Sequence, residues 1–91
     1  MPEVTIYTAA LCGYCRRAKQ VLDEKGVEYT EHDVTFDRAL RKEMGARAGG
    51  ATSVPQIFVG DTHVGGCIDL IDADKSGQLD ELLSEGDPAG A

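Results

Sequence analysis

The sequence predicts an α/β domain in which a four-stranded mixed β-sheet is flanked by helices. An alternating, β-rich segment at residues 4–7 is followed by apolar residues at helical spacing and then by a second alternating segment at residues 27–34. Two short apolar segments farther along flank Gly60 and Asp61, which is the pattern of a β-hairpin. The chain has 91 residues, and this length suits one domain built on one sheet.

The first half of the chain predicts a β-α-β unit. Ala18, Val21 and Leu22 recur at helical spacing and Gly26 supplies a stop signal, so the first helix should span about residues 13–25. A helix that connects two neighbouring strands makes those strands parallel. The strands at residues 4–7 and 27–34 are therefore expected to pair in parallel.

The middle of the chain predicts a second helix and a hairpin. Phe36, Leu40 and Met44 define one face of this helix, and the glycines at positions 45, 49 and 50 are expected to end it. The segments at residues 56–59 and 62–64 then form the hairpin, which makes the last two strands antiparallel.

The last part of the chain predicts two short helices. Gly65 and Gly66 open a third helix that runs to about residue 74, and residues 79–83 suit a short fourth helix. Residues 85–91 are typical of a flexible tail, so we expect one domain over residues 1–84. This order of elements is the minimal thioredoxin-like arrangement, with the strands in the order 2-1-3-4.

Composition narrows the classes of partner. The chain has 9 basic and 16 acidic residues and a net charge of -7, which argues against nucleic acid and anionic membranes as partners. The acidic excess lies in residues 51–91, where Lys75 is the one basic residue. No stretch approaches the roughly 20 apolar residues of a membrane span, and the start, Met-Pro-Glu-Val, does not resemble a signal peptide. We therefore expect a cytoplasmic protein.

Cys12 and Cys15 carry the predicted chemistry. The chain has 3 cysteines, an odd number that does not make a disulfide framework, so a transient functional disulfide is expected. Cys12 falls at a strand-to-helix junction, where unpaired N–H groups and the helix dipole stabilise a thiolate. Cys15 lies one helical turn further in and suits a resolving thiol. Arg16, Arg17 and Lys19 follow closely and can make the local field positive.

Two other uses of paired cysteines are less consistent with the sequence. A zinc site normally supplies its second ligand pair at close spacing, whereas His32 and His63 stand alone at predicted strand positions. A haem attachment motif requires histidine where Arg16 stands. We therefore predict no metal ligand in the redox interpretation.

Three motifs together resemble the glutaredoxin family. They are the segment Cys12-Gly13-Tyr14-Cys15 between a strand and a helix, residues 53–58 (Ser-Val-Pro-Gln-Ile-Phe), and residues 65–70 (Gly-Gly-Cys-Ile-Asp-Leu). The resemblance extends from residue 4 to about residue 83 and has the family's order and spacing. It implies a thioredoxin-like fold and a glutathione-dependent thiol-disulfide oxidoreductase.

The resemblance also implies where glutathione binds. The peptide bond before Pro55 is expected to be cis, which turns the backbone of Val54 outward beside Cys12 to pair with the cysteine of glutathione, as in strand addition. Without the other motifs, the same Val-Pro pair would indicate an ordinary loop before an edge strand. The ring of Tyr14 is expected to border the glutathione groove, with partial burial against the domain as the alternative or an accompaniment.

The other end of glutathione is assigned to the third motif. Backbone N–H groups from Gly66 to Ile68 are expected to bind the γ-glutamyl carboxylate at a helix N-terminus, and Asp69 its amino group. The thiol of Cys67 is either inert or a site of side oxidation. The full set of implied glutathione-binding residues is Tyr14, Val54, Pro55, Gly66, Cys67, Ile68 and Asp69.

Three positions depart from the family pattern. Ala9 stands where most members have lysine, so Arg16, Arg41, Lys42 or Arg47 compensates or glutathione binds more weakly. Ile68 replaces a residue that hydrogen-bonds through its side chain. Gly13 replaces the commoner proline, and members without that proline resemble those that bind a [2Fe-2S] cluster between two subunits. Such a cluster would use Cys12 and glutathione from each subunit.

The predicted reaction begins when Cys12 attacks the glutathionyl sulfur of a mixed disulfide and releases the substrate thiol. A second glutathione, or Cys15 when the substrate is a protein disulfide, then resolves the intermediate. Glutathione is thus a co-substrate, no other prosthetic group is required, and the partners are glutathionylated or disulfide-bonded proteins. A monomer is expected, with a dimer only if a cluster is bound. The alternatives are a [2Fe-2S] carrier or sensor and a thioredoxin-like enzyme served by a thioredoxin reductase.

Overall fold

A computed structural model of the chain describes residues 2–84. The predicted tail at residues 85–91 lies outside the described residues, so the predicted domain boundary stays a prediction. Strands and helices follow one another in this order: β1 Val4–Thr8, α1 Gly13–Glu24, β2 Thr30–Asp33, α2 Arg38–Arg47, β3 Gln56–Val59, β4 Thr62–Gly65, α3 Cys67–Ser76 and α4 Gln78–Ser84.

The sheet has four strands in the order β2-β1-β3-β4. β1 pairs with β2 in parallel, as the β-α-β pattern predicts, with Tyr7 opposite His32. β3 runs antiparallel to both β1 and β4, and Tyr7 lies opposite Gln56. The predicted α/β class, the mixed sheet and its strand order are confirmed.

Two apolar clusters cover the two faces of the sheet. The larger cluster joins β1 and β3, through residues such as Ile6 and Ile57, to α1, α3 and α4, and its centre includes Leu22 and Leu70. The smaller cluster joins Tyr7 and Phe58 to Met44 of α2. Burial of this apolar surface stabilises the sheet from both sides. The N-termini of α1 and α3 are thereby held at fixed positions on the sheet.

The second strand is shorter than predicted. The prediction placed it at residues 27–34, whereas β2 begins at Thr30. Thr30 pairs with Thr5, close to the start of β1, so residues 27–29 have almost no β1 backbone left to pair with. Val27 is buried in the larger cluster, and its apolar character therefore reflects packing and not strand pairing.

The second helix also differs from the prediction. Phe36 was expected on its buried face, but the Asp37 side chain accepts a hydrogen bond from the backbone N–H of Leu40 and caps the helix after Phe36. Phe36 is therefore outside the helix and fully exposed. Gly45 was expected to help end the helix, yet α2 continues to Arg47. A glycine inside a helix costs only about 1 kcal/mol, which the burial of neighbouring Met44 offsets.

Candidate functional site

Cys12 lies at the junction between β1 and α1. It is the N-cap of α1, with extended backbone angles, and its sulfur accepts a hydrogen bond from the backbone N–H of Cys15 at 3.1 Å. Leu11, just before it, has a φ of 57° and an exposed side chain. The backbone N–H of Ala10 donates to Thr35 Oγ1 at 2.7 Å and ties this turn to the loop after β2. The sulfur therefore lies at the start of the helix, where backbone N–H groups have no partner within the helix.

Cys15 lies in a different environment from Cys12. Its side chain is buried, with 2% of its surface exposed, whereas Cys12 is half-buried. Burial, and then the hydrogen bond to Cys12, raise the pKa of the Cys15 thiol to about 12. Near neutral pH, Cys15 therefore keeps its proton in the free protein.

The sulfur of Cys12 meets the loop before β3. Its thiol lies 3.9 Å from the carbonyl oxygen of Val54, and the Val54–Pro55 peptide bond is cis. A groove of about 220 Å³ starts beside this contact. The residues that line it are Tyr14, Ser53, Val54, Pro55, Gly66, Cys67, Ile68 and Asp69.

The structure thus brings all seven residues of the implied glutathione set to one groove, next to Cys12. Ser53 also lines the groove and was not in the predicted set. The signal that would have found it is its place directly before Val54 and Pro55. Whether the set binds glutathione stays a prediction.

The N-terminus of α3 forms the far side of the groove. Asp69 Oδ2 accepts a hydrogen bond from the backbone N–H of Gly66, the N-cap, at 3.0 Å. Gly65 has a φ of 119°, and a Cβ there would lie 2.8 Å from Asp69 Cγ. Only glycine fits this position, both for its backbone angle and for the space that the carboxylate occupies.

The remaining groove residues differ in exposure. Tyr14 and Ile68 are exposed, at 64% and 60% of their surface, so burial of Tyr14 against the domain is minor. Cys67 is buried, and burial raises the pKa of its thiol, although the positive charge of Arg17 acts in the opposite direction. A buried, protonated thiol is a poor nucleophile. This favours the inert alternative for the Cys67 side chain.

The cations expected to compensate for the missing family lysine lie in several places. Ala9 packs against the smaller cluster. Arg47 donates to the Tyr7 hydroxyl at 2.9 Å and stacks on Phe58, so it serves the core beside α2. Arg41 donates to the Thr52 carbonyl at 3.4 Å, one residue from the groove lining. Arg41 therefore contacts the loop that leads to Val54, whereas the contacts of Arg47 lie with the core and Gly60.

The predicted zinc alternative gains no support from the arrangement of side chains. His32 lies against the Tyr7 ring, with centroids 5.2 Å apart, and His63 stacks on Phe58. Among residues 2–84, no three histidine, cysteine or acidic side chains converge as a metal site would require. Over the same residues, no helix has the length and hydropathy needed to cross a bilayer.

Comparison with known proteins places this geometry in a family. The family model described as Glutaredoxin matches residues 4–64. A glutaredoxin of Pseudomonas aeruginosa is 54% identical over 84 residues, which cover 92% of this chain and 99% of the relative.

Solved structures agree in fold and sequence. The solution structure of a glutaredoxin from Brucella melitensis is 48% identical, covers 94% of this chain and 92% of its own, and superposes with a TM-score of 0.81. A buckwheat glutaredoxin–glutathione complex is 26% identical, with 92% and 78% coverage and a TM-score of 0.81. The chain belongs to the glutaredoxin family of glutathione-dependent thiol-disulfide oxidoreductases.

Proposed function

We propose that the chain is a dithiol glutaredoxin that reduces glutathione mixed disulfides and protein disulfides through a Cys12 thiolate. One observation carries the proposal: the Cys12 sulfur caps α1 and lies 3.9 Å from the Val54 carbonyl oxygen, beside the groove. A nucleophile next to backbone that lies outside the sheet pairing suits a peptide substrate that is held in extended form. The buckwheat relative, solved as a complex with glutathione, supports the choice of ligand.

The groove suits the two ends of glutathione. The Val54 backbone would pair with the cysteine residue of glutathione and hold its sulfur against Cys12. The N-terminus of α3 would receive the γ-glutamyl carboxylate on the N–H groups of Cys67 and Ile68. Asp69, which already accepts from Gly66 N–H, supplies negative charge for the neighbouring ammonium group. A ligand end that carries both charges fits this pairing.

The reaction proceeds by two thiol-disulfide exchanges. The Cys12 thiolate attacks the glutathionyl sulfur, the old disulfide bond breaks, and the substrate leaves as a thiolate that takes a proton from water. A glutathione thiolate then attacks the glutathionyl sulfur bound to Cys12, forms glutathione disulfide and releases the Cys12 thiolate. Each exchange transfers one electron pair and needs no further oxidant or reductant.

Cys15 would act when the substrate is a protein disulfide. In the free protein, its pKa is raised by burial and also by the sulfur of Cys12, through a hydrogen bond and through charge. Once Cys12 is in a mixed disulfide, its charge is gone and that part of the increase ends. Burial remains, so the Cys15 thiol should stay less ionised than an exposed thiol, and its attack depends on its position next to Cys12.

A coupled assay with glutathione reductase and NADPH tests the enzyme proposal. The wild-type protein should turn over the mixed disulfide of glutathione and 2-mercaptoethanol. Cys12→Ser should abolish this turnover, because a serine hydroxyl is not ionised at neutral pH, whereas Cys15→Ser should retain at least about half of it. Absence of turnover by the wild-type protein would refute the proposal. Equal loss in both variants would refute the separate roles of the two thiols.

A second candidate function is the binding of a [2Fe-2S] cluster between two copies. The exposed apolar side chains of Leu11, Tyr14 and Ile68 near Cys12 favour it, because a dimer around Cys12 would cover them. Cys12 is accessible enough to ligate iron and Cys15 is not, so each copy would supply one cysteine and one glutathione. Anaerobic reconstitution with iron, sulfide and glutathione should give a coloured dimer that Cys12→Ser abolishes. A colourless monomer contradicts this function.

The proposal also includes a cytoplasmic location and a monomeric state. A reducing cytoplasm suits a catalyst that works through a Cys12 thiolate. A monomer suits the enzyme, since its proposed groove is formed by one chain. Sedimentation of the reduced protein without iron should therefore give the mass of a single chain, and a dimer under these conditions would contradict that part.

A further inference from the structure

Gln56 is a buried polar residue that the proposed reaction does not use. It is the first residue of β3, and 4% of its surface is exposed. Its side-chain amide nitrogen donates to the Ser53 carbonyl oxygen at 3.0 Å and to Ser53 Oγ at 3.3 Å. Its amide oxygen lies 2.6 Å from His63 Nε2. Both the NH₂ group and the oxygen of this amide therefore have hydrogen-bond partners.

The chemistry of the partners fixes the orientation of this amide. A carbonyl oxygen only accepts hydrogen bonds, so the group that faces Ser53 O must be the NH₂ group of Gln56. The amide oxygen then faces His63, whose Nε2 must carry a hydrogen and donate it. His63 is itself held by stacking on Phe58, with centroids 4.9 Å apart and an interplanar angle of 24°. The ring of His63 thus orients the amide of Gln56.

The anchored carbonyl determines where the next N–H points. Ser53 O and Val54 N–H belong to one peptide unit, and the cis bond in this region is the following one, Val54–Pro55. In a planar trans peptide, the C=O and N–H bonds point in opposite directions. Because Gln56 draws Ser53 O inward, Val54 N–H is turned outward. Ser53 and Val54 both line the groove.

We infer that Gln56 is a positioning residue that aims the backbone N–H of Val54 at the glutathione groove, and that His63 fixes the Gln56 amide for this task. The inference rests on the proposed function, in which Val54 pairs with the cysteine of glutathione. Gln56 and His63 make no contact with the reacting sulfur. Their loss should therefore weaken the holding of the substrate and leave the reactivity of Cys12 unchanged.

Three variants and a control test this inference. Gln56→Glu keeps the shape of the side chain but removes the donor to Ser53 O. His63→Leu removes the donor to the amide, and His63→Gln keeps a donor near the same place. Asp61→Asn changes a charge in the β3–β4 turn and serves as the control. The measurements are KM and kcat for the mixed disulfide of glutathione and 2-mercaptoethanol, the alkylation rate of Cys12 by iodoacetamide, and the amide NMR resonance of Val54.

We expect Gln56→Glu to raise KM about tenfold, since a buried carbonyl loses its donor and faces a carboxylate. His63→Leu should raise KM about threefold, and His63→Gln should restore it. In each case kcat and the Cys12 alkylation rate should stay within about twofold of wild type. The Val54 amide resonance should move in Gln56→Glu and His63→Leu and not in Asp61→Asn.

An unchanged KM in Gln56→Glu, or an unmoved Val54 resonance, would overturn the inference. A rise in KM that is accompanied by falls in the alkylation rate and the melting temperature would also overturn it, because that result indicates a purely structural role. If Gln56→Glu does not fold, the pair His63→Leu and His63→Gln decides by the same criteria. Absence of turnover in the wild-type protein would refute the proposed function, and the Val54 resonance would then still test the positioning role.

Discussion

Two helices begin at the same groove, and their N-termini are capped in different ways. The N-terminus of α1 is capped by the sulfur of Cys12, which is the proposed nucleophile, and its first turn holds no acidic residue. The N-terminus of α3 is capped by Asp69, an acidic residue of its own first turn. Each N-terminus stabilises negative charge. At α1 that charge would be the thiolate of the proposed reaction, and at α3 it would be shared between the carboxylate of Asp69 and the proposed ligand.

The comparison teaches that the same helical property serves two purposes here. At α1, the N–H of Cys15 donates to the sulfur of Cys12, which is both the N-cap and the proposed nucleophile. At α3, the carboxylate of Asp69 lowers the net positive field and adds a partner for an ammonium group. We therefore expect changes at α1 to affect the chemistry, and changes at α3 to affect binding and stability.

The largest effect on stability is expected from Gly65→Ala, which disturbs the N-terminus of α3. Its Cβ would lie 2.8 Å from Asp69 Cγ, at a φ of 119°. The collision and the backbone strain together should lower the free energy of unfolding by about 2–4 kcal/mol. Urea unfolding measures this change.

Gly77→Ala is the matched control for Gly65→Ala. Gly77 also has a positive φ, of 84°, but a Cβ there meets nothing within 4 Å among the described residues. It should cost only about 1 kcal/mol. Equal decreases in the free energy of unfolding in the two variants would show that the collision with Asp69 does not contribute to the cost of Gly65→Ala.

The next largest effect is a pH dependence that comes from Cys15 on the α1 side. Its pKa is about 12 in the folded chain, against an ordinary value of 9.0. Above pH 9 the unfolded chain loses this proton while the folded chain keeps it, so stability should fall as the pH rises from 9 towards 12. The slope approaches about 1.4 kcal/mol per pH unit.

Cys15→Ser isolates this contribution, because the other groups with raised pKa values, Lys25, Tyr29 and Cys67, are present in both proteins. The difference in unfolding free energy between wild type and Cys15→Ser, followed from pH 8 to pH 10.5, should shrink or change sign as the pH rises. A constant difference would contradict the assigned environment of Cys15.

A smaller effect is expected when Asp69 is neutralised. Asp69→Asn keeps an oxygen for the N–H of Gly66 but removes the negative charge offered to the ligand. KM for the glutathione mixed disulfide should rise about five- to tenfold, as expected for the loss of a charged hydrogen-bond partner. Steady-state kinetics give the value. Asp72→Asn, on the same helix and outside the groove lining, should change KM less than about twofold, and a similar rise in both would indicate a general field effect.

The smallest effect concerns the sulfur cap itself. Cys12→Ala removes the acceptor for the N–H of Cys15, whereas Cys12→Ser replaces it with a hydroxyl. A lost N-cap costs about 0.5–2 kcal/mol, and a weak sulfur acceptor places this case at the lower end. Thermal unfolding near pH 7 should therefore show Cys12→Ser as the more stable of the two. The opposite order would mean that the sulfur is not acting as a cap.

Much of this fold was predictable because local patterns and simple topology agree. The helix between residues 13 and 25 and the hairpin around Gly60 and Asp61 together allow few strand orders. The errors arise where an apolar residue has more than one use. Val27 packs beneath the sheet without joining a strand, and Phe36 is apolar but exposed. Periodicity does not distinguish these cases from paired or helical residues.

Some features of the candidate site could be predicted from the sequence and others could not. Cys12 and Cys15 follow from their spacing at a strand-to-helix junction. The other groove residues, apart from Ser53, followed from the family resemblance. The raised pKa of Cys15 depends on burial, which no local pattern contains. The contacts of Gln56 with Ser53 and His63 depend on how β3 and β4 pair. Contacts of that kind need three-dimensional packing.

Because the three thiols are buried to different degrees, the folded chain should react with thiol reagents at one cysteine, Cys12. Cys15 and Cys67 expose 2% and 4% of their surface, whereas Cys12 is half-buried. A maleimide or iodoacetyl probe should therefore add once to the native protein, and the second and third adducts should appear only as the chain opens. Counting adducts by mass then measures opening of the fold, with the adduct on Cys12 serving as the internal standard.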